Sequence, residues 1–143
     1  MGLVQAIKGI FTNELDVRVS QDLVTVAWDG QSLSFRPVVH VVKRGGLVRV
    51  VGVAEQLPSD ESSTLVPVFG PLPASIEREQ WPKLLSMFMQ YVVAHARSRL
   101  VAMRPTIRVH GVATLTSMPG VDIGLALQNV LIRAGAVHCT IED

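Results

Sequence analysis

The residues able to do chemistry are few and scattered. Four histidines (His40, His95, His110, His138) and one cysteine, Cys139, are the soft ligands of the 143-residue chain. None of them stands at the spacing that a structural zinc site uses. His40 has no second ligand at metal spacing and reads as a satisfied core or edge histidine. His110 and His138 fall in separate strands and approach each other only if those strands are neighbours. Two histidines without a third ligand make a poor metal site. His95 belongs near a helix end, close to Arg97 and Arg99, where cations complement the helix C-terminus. Asp60 and Glu61 are adjacent acids in a serine-rich loop, which is solvated surface rather than a general acid–base pair. The basic trio Lys43, Arg44 and Arg49 could meet an anionic surface, but a solvated hairpin tip accounts for it. There is no Walker-type loop, no Gly-x-Ser-x-Gly elbow and no Cys–His pair. The residues therefore predict no catalysis, no metal and no cofactor.

The elements that must carry these residues follow from periodicity. Leu15, Val17 and Val19 alternate with Asp16, Arg18 and Ser20, the period-two pattern of a half-buried strand. Leu23 to Trp28 is rich in β-branched residues and apolar on both faces, as a central strand would be. Asp29-Gly30 signals a type I′ turn, and Gln31 to Arg36 returns as a third strand stopped by Pro37. Val38–Lys43 and Leu47–Val53 form a second hairpin around Arg44-Gly45-Gly46, the first of its strands apolar on both faces. Gln56–Pro73 is expected to be irregular, because Pro58, Pro67, Gly70, Pro71 and Pro73 punctuate it. Ser75–Met103 is the main helical region, with Pro82 in a first-turn position. Its apolar face comprises Leu84, Leu85, Phe88, Met89, Val92, Val93 and Ala96. Thr106–Thr114 reads as a strand with Ile107, Val109, Gly111 and Ala113 on one face and His110 on the other. Ser117-Met118-Pro119 opens a helix heavily buried through Val121, Ile123, Leu125, Leu127, Val130 and Leu131, closed by Gly135 at C′. Val137–Ile141 is the last strand, and Asp143 ends the chain as a mobile residue. At the start, Leu3, Val4, Ile7, Ile10 and Phe11 lie on one helical stripe. So short a segment is marginal as a free helix, Gly2 and Gly9 weaken it, and only Lys8 favours anionic lipid.

Composition bounds the function. The chain is 48% hydrophobic and 17% charged, against about 25% charged in ordinary domains. A net charge of +1 gives no electrostatic case for nucleic acid. One cysteine cannot form an internal disulfide, and a reducing cytosol fits. No apolar run approaches the roughly 20 residues that span a bilayer. The N-terminus lacks the h-region of a signal peptide, and Ala6 breaks the myristoylation pattern after Met1-Gly2.

Several of these segments, in this order, resemble the MreB-type bacterial actins. Gly9, Ile10, Phe11, Thr12, Asn13, Glu14 and Leu15 match a Gly-apolar-Phe-Ser/Thr-Asn-acidic-Leu run without a gap through the Gly30-Gln31 turn. Met103-Arg104-Pro105-x-x-Arg108-Val109, then Ala134-Gly135-Ala136, then Ile141-Glu142-Asp143 match near the end, where that family runs strand, helix, strand. The resemblance brackets nearly the whole chain, with a weaker middle. It departs at the first hairpin, where the family carries an Asp-x-Gly-Thr phosphate loop. Arg18, Val19, Ser20 and Gln21 stand there instead. At about 4 Å and an effective dielectric near 20, exchanging Asp for Arg turns an attraction of roughly 4 kcal/mol for a metal-borne charge into a repulsion of similar size. Losing the Gly places a Cβ where phosphate would lie. An arginine can instead pair directly with a phosphate, but Arg18 also fits the wet face of a strand. The family's hydrolytic Glu falls at Val121 in the ungapped count. Asp122 is the nearest acid and reads as a dipole-favoured first-turn residue.

The resemblance implies an α/β fold of actin or RNase H-like type, a mixed sheet with helices packed on it, forming one half-actin domain over residues 1–143. Residues 38–73 would be a reduced side domain. Relatives are longer, and their second half supplies the other phosphate loop. A half-actin is expected to leave an apolar face uncovered, marking a partner or dimer interface. The stripe Leu3, Val4, Ile7, Ile10 and Phe11 then has two readings, a membrane-surface helix or a helix packed on the domain. The implied function is a non-catalytic protein docking on a bacterial actin filament or cell-shape membrane apparatus. The alternative is a residual ATP-binding protein or ATPase completed by dimerisation. The partners are a bacterial actin or a second copy, with peripheral membrane contact and no nucleic acid. The expected location is the cytoplasm, at the inner membrane surface if the N-terminal stripe binds lipid.

Overall fold

A computed structural model describes residues 14–58, 62–97, 105–115 and 121–142. The N-terminal stripe Leu3, Val4, Ile7, Ile10 and Phe11, the loop acids Asp60 and Glu61, and the Ser117-Met118-Pro119 helix start lie outside the described residues. The strands are β1 (Glu14–Val19), β2 (Val24–Trp28), β3 (Gln31–Phe35), β4 (Val38–Arg44), β5 (Leu47–Val53), β6 (Thr64–Pro67), β7 (Thr106–His110) and β8 (His138–Ile141). The helices are α1 (Trp81–Arg97) and α2 (Ile123–Arg133).

Five strands form one sheet in the order β3-β2-β1-β7-β8, and three form a second in the order β5-β4-β6. β1, β2 and β3 are antiparallel neighbours, whereas β1, β7 and β8 run parallel. The mixed α/β sheet expected from the sequence is thus the observed one, with α2 as the crossover between the parallel strands β7 and β8. Asp29 and Gly30 take φ values of 43° and 75°, and Gly45 and Gly46 take 59° and 82°. These are the positive angles that two-residue hairpins need.

α1 and α2 pack on one face of the large sheet. Leu15, Val17 and Val19 of β1, Val24, Val26 and Trp28 of β2, and Ile107 and Val109 of β7 are buried there with Leu84, Leu85, Phe88, Met89 and Leu127. The same core continues through Val39, Val41, Val48 and Val66 of the small sheet. Polar contacts tie α1 to that sheet. Trp81 Nε1 donates to Val68 O at 2.7 Å, and Lys83 Nζ to Val48 O at 2.7 Å.

The structure corrects several expectations. β2 is buried on one face only: Leu23 precedes the strand and is 45% exposed, because no described element covers the far side of the sheet. β4 buries Val39 and Val41 in the main core and Val42 on the opposite face, so it is apolar on both faces only at its middle, with a register shift between His40 and Val41. The stretch taken as irregular contains β6, a short edge strand ending at Pro67 and pairing with β4, where a missing amide costs no ladder bond. β7 stops at His110. Gly111 turns to φ 90° and a 3₁₀ turn follows over Val112–Thr114, so Gly111 and Ala113 are not strand residues. α2 buries only Leu127, Val130 and Leu131.

Candidate functional site

In open α/β sheets, ligands gather at the carboxyl ends of the parallel strands. Here those ends are Val19 of β1, His110 of β7 and Ile141 of β8. Arg18, Val19, Ser20 and Gln21, which the resemblance matches to a phosphate loop, lie at this end, where β1 turns toward β2. Val19 is buried as the last residue of β1, and Arg18 beside it points to the opposite, exposed face. Ser20 closes the turn on Leu23. Its amide donates to Leu23 O at 3.0 Å, its hydroxyl donates to the same oxygen at 2.9 Å, and Leu23 N–H donates to Ser20 Oγ at 3.0 Å. Ser20 is therefore bonded within its own turn, its side-chain oxygen committed to local backbone.

Two other polar side chains at this end are also bonded locally. Thr114 Oγ1 donates to Gly111 O at 2.6 Å. Asp122, the acid nearest the hydrolytic position, is the N-cap of α2 and accepts from Leu125 N–H at 3.0 Å. Losing a cap of this kind costs about 1 kcal/mol of stability, which is sufficient reason for an aspartate here. Val121 is half-buried and packs on the core. Gly111 brings β7 against β1 so closely that a Cβ would run into Val19 O.

The face of the large sheet away from α1 and α2 carries the remaining chemistry. Glu14, Asp16, Arg18, Thr25, Ser34, Arg108, His110 and Thr140 alternate with the core residues and lie on it. The parallel pairing of β1 with β7 sets Asp16 beside Arg108 and Arg18 beside His110. Arg108 Nη2 donates to Glu14 Oε2, Arg108 Nε lies 3.9 Å from Asp16 Oδ1, and His110 Nε2 lies 3.1 Å from the same oxygen. The hydrogen bond donated to Glu14, and then the charge of Glu14, hold the Arg108 guanidinium pKa above its ordinary value. These side chains are half exposed, 42% for Arg108 and 51% for both acids, so water screens the pairs and they contribute little to stability. A concavity of about 420 Å³ between Glu14, Asp16, Asp29 and Ser32 opens at the other end of this face. Two of its three carboxylates are already partnered by Arg108 and His110.

Sequence reasoning did not find this cluster. Glu14 and Arg108 are 94 residues apart, and only the parallel register of β1 and β7 joins them. The open face of the large sheet is polar. His110 and His138 do sit on neighbouring strands, but Thr106, not His110, is in register with His138. Four residues of strand, roughly 13 Å, separate the two rings' positions. Among the described residues no three His, Cys, Asp or Glu side chains gather as metal ligands, and no helix is long and apolar enough to cross a membrane. His40 packs against Gly52, with its Cδ2 3.1 Å from where a Cβ would stand. His95 lies against Tyr91 and Phe35 near the end of α1.

The strand order and the crossover decide the architecture. The fold is actin-like. The structure of MamK, a bacterial actin-like protein, as a non-polymerising mutant bound to AMPPNP, is similar to this chain at a TM-score of 0.55 and 14% identity. The similarity covers 92% of this chain and 40% of that one, so the actin-like chain here spans less than half the length of that neighbour. No family model matches the sequence, and no curated protein matches it.

Proposed function

We propose that this actin-like chain is a non-catalytic binding protein that docks on a bacterial actin filament or on the cell-shape apparatus at the membrane. The observation that carries the reading is the β1–β2 turn, where Ser20 closes on Leu23 and Arg18 stands at the metal-serving position of the resembled phosphate loop. A site that stabilises phosphate presents unpaired backbone N–H groups and room for a metal ion. This turn keeps its serine for itself and carries a cation nearby. MamK, whose structure holds AMPPNP, shares the fold, and the MreB resemblance of Gly9–Gln31 supplies the class of partner.

Co-sedimentation with a polymerised MreB-type actin tests the reading, with Mg-ATP binding measured in parallel on the chain alone. The expected result is saturable co-pelleting and a melting temperature that Mg-ATP leaves unchanged. A melting temperature that climbs with Mg-ATP concentration, as linkage requires of a native-state ligand, would overturn it in favour of a residual nucleotide-binding protein.

A further inference from the structure

β3 is an outer edge of the five-stranded sheet, and two independent observations fix which of its backbone groups face outward. Residues of an antiparallel pair alternate between exchanging both backbone hydrogen bonds and turning them away. The Asp29-Gly30 turn has the positive φ values of a type I′ hairpin, so Trp28 and Gln31, which flank it, exchange theirs. At the far end of β2, Ser20 N–H donates to Leu23 O. That bond turns the backbone of Thr25 and Ala27 toward β1, and of Val24, Val26 and Trp28 toward β3. Both routes leave the N–H and C=O of Ser32 and Ser34 pointing away from the sheet. These groups have no partner among the described residues. Arg36, next in the same alternation, donates its amide to Glu55 Oε1 at 2.7 Å, so the open stretch ends there.

The other three edges each carry a device against strand addition. Glu142 N–H donates to Val109 O, which turns the backbone of Cys139 outward on β8, and Cys139 O accepts from Gln128 Nε2 at 2.8 Å. Val48 O on β5 accepts from Lys83 Nζ at 2.7 Å. Pro67 on β6 has no amide to offer. β3 has none of these devices: Gln31–Phe35 contains no proline and no charged residue.

The stretch is complementary to a second copy of itself. With two β3 strands antiparallel about a two-fold axis at Leu33, each Ser32 stands opposite the partner's Ser34. Every outward N–H of these serines then meets an outward C=O. An axis at Ser34 would instead set Ser32 against Arg36, whose amide Glu55 already holds. An axis at Ser32 would set Ser34 against Gly30 in the turn. The side chains agree with the Leu33 register. Leu33 is half-buried against the core on the α1 side. It would meet its own copy at a non-hydrogen-bonded position, where cross-strand side chains come closest. Phe35, edge-on to Tyr91 at 5.8 Å, would lie opposite Gln31. The serines meet on the polar face, and no like charges of β3 are opposed. Such an interface is isologous and closes at two subunits.

We propose that β3 forms a two-fold edge-to-edge interface between two copies of this chain, joined through the backbones of Ser32 and Ser34 and closed over Leu33. The inference is independent of the actin-docking reading and stands or falls without any actin present. Light scattering on the full chain should give a particle of twice the 15.5 kDa chain mass. Ser34→Pro removes an outward amide and leaves in place the bonds that Gln31, Leu33 and Phe35 make to β2. It should weaken the dimer about tenfold or more. Ser32→Lys with Ser34→Lys sets lysines opposite each other on both sides of the axis and should dissociate it. Ser32→Glu with Ser34→Glu should do the same, and an equal mixture of the two double variants should associate again. Leu33→Cys in a Cys139→Ala background should cross-link two copies on oxidation, because Cα atoms of such a pair stand about 4.5 Å apart, within disulfide reach. Far-UV circular dichroism checks that each variant is folded. The charge variants alter only exposed side chains, and they decide the matter if Ser34→Pro is unfolded. A monomer at every concentration would overturn the proposal. So would a dimer that survives both double variants, or one in which Leu33→Cys does not cross-link.

Discussion

Ser20, Thr114 and Asp122 each commit a side-chain oxygen to a backbone group three residues away. Such local bonds are why these residue types favour turns and caps. At the end of the sheet where a ligand would sit, they leave these side chains tied to their own backbone. Cys139 shows the same subordination of chemistry to packing. It is 2% exposed, and burial pushes its thiol up from 9.0 to about 11. A raised pKa favours the neutral thiol, so the associated stability is complete below pH 9 and is lost as pH rises toward 11. It is on the order of 2 kcal/mol. Denaturant midpoints measured from pH 8 to 11 should fall more steeply for the wild type than for Cys139→Ala. Parallel curves would mean that the thiol is not buried in solution.

At the scale of elements, the join between β1 and β7 depends on Gly111. Its φ of 90° and the contact of a would-be Cβ with Val19 O combine a strained backbone with a collision against main chain. Gly111→Ala should cost at least 1 to 3 kcal/mol, roughly the strain of a left-handed non-glycine residue plus the displacement. Chemical denaturation measures it, and a loss below 0.5 kcal/mol would show that the two strands can part without consequence. The hairpins were legible in the sequence because Asp29-Gly30 and Gly45-Gly46 meet a backbone requirement that few residues can satisfy. β1 was legible because alternation of Leu15, Val17 and Val19 with polar residues has one simple reading. β6 was not, because a four-residue edge strand beside prolines carries no period, and its pairing with β4 is a long-range event. The burial of α2 was misjudged for a related reason. A helix apolar nearly all round does not say which flank meets the core, so Leu125 looked like Leu127. At the β1–β2 turn the residue types were legible, whereas the closure of Ser20 on Leu23 and the capping of α2 by Asp122 required coordinates.

On the scale of the whole molecule, one continuous core joins the two sheets through α1, from Val26 and Leu84 to Val41 and Val66. Trp28 lies in the large sheet, and Trp81 bonds to Val68 beside the small one. Unfolding followed by tryptophan fluorescence and by far-UV circular dichroism should therefore superimpose as a single transition. Separated midpoints would mean that the small sheet melts on its own. The polar side of the large sheet has a further consequence. Along β1 the chain alternates between positions that the core dictates and positions that meet only water and a few screened charges. Leu15, Val17 and Val19 are not free to vary, whereas Glu14, Asp16 and Arg18 between them are. A new recognition surface can thus be written on the strand at the centre of the fold, one side chain at a time, with the architecture beneath it left unread.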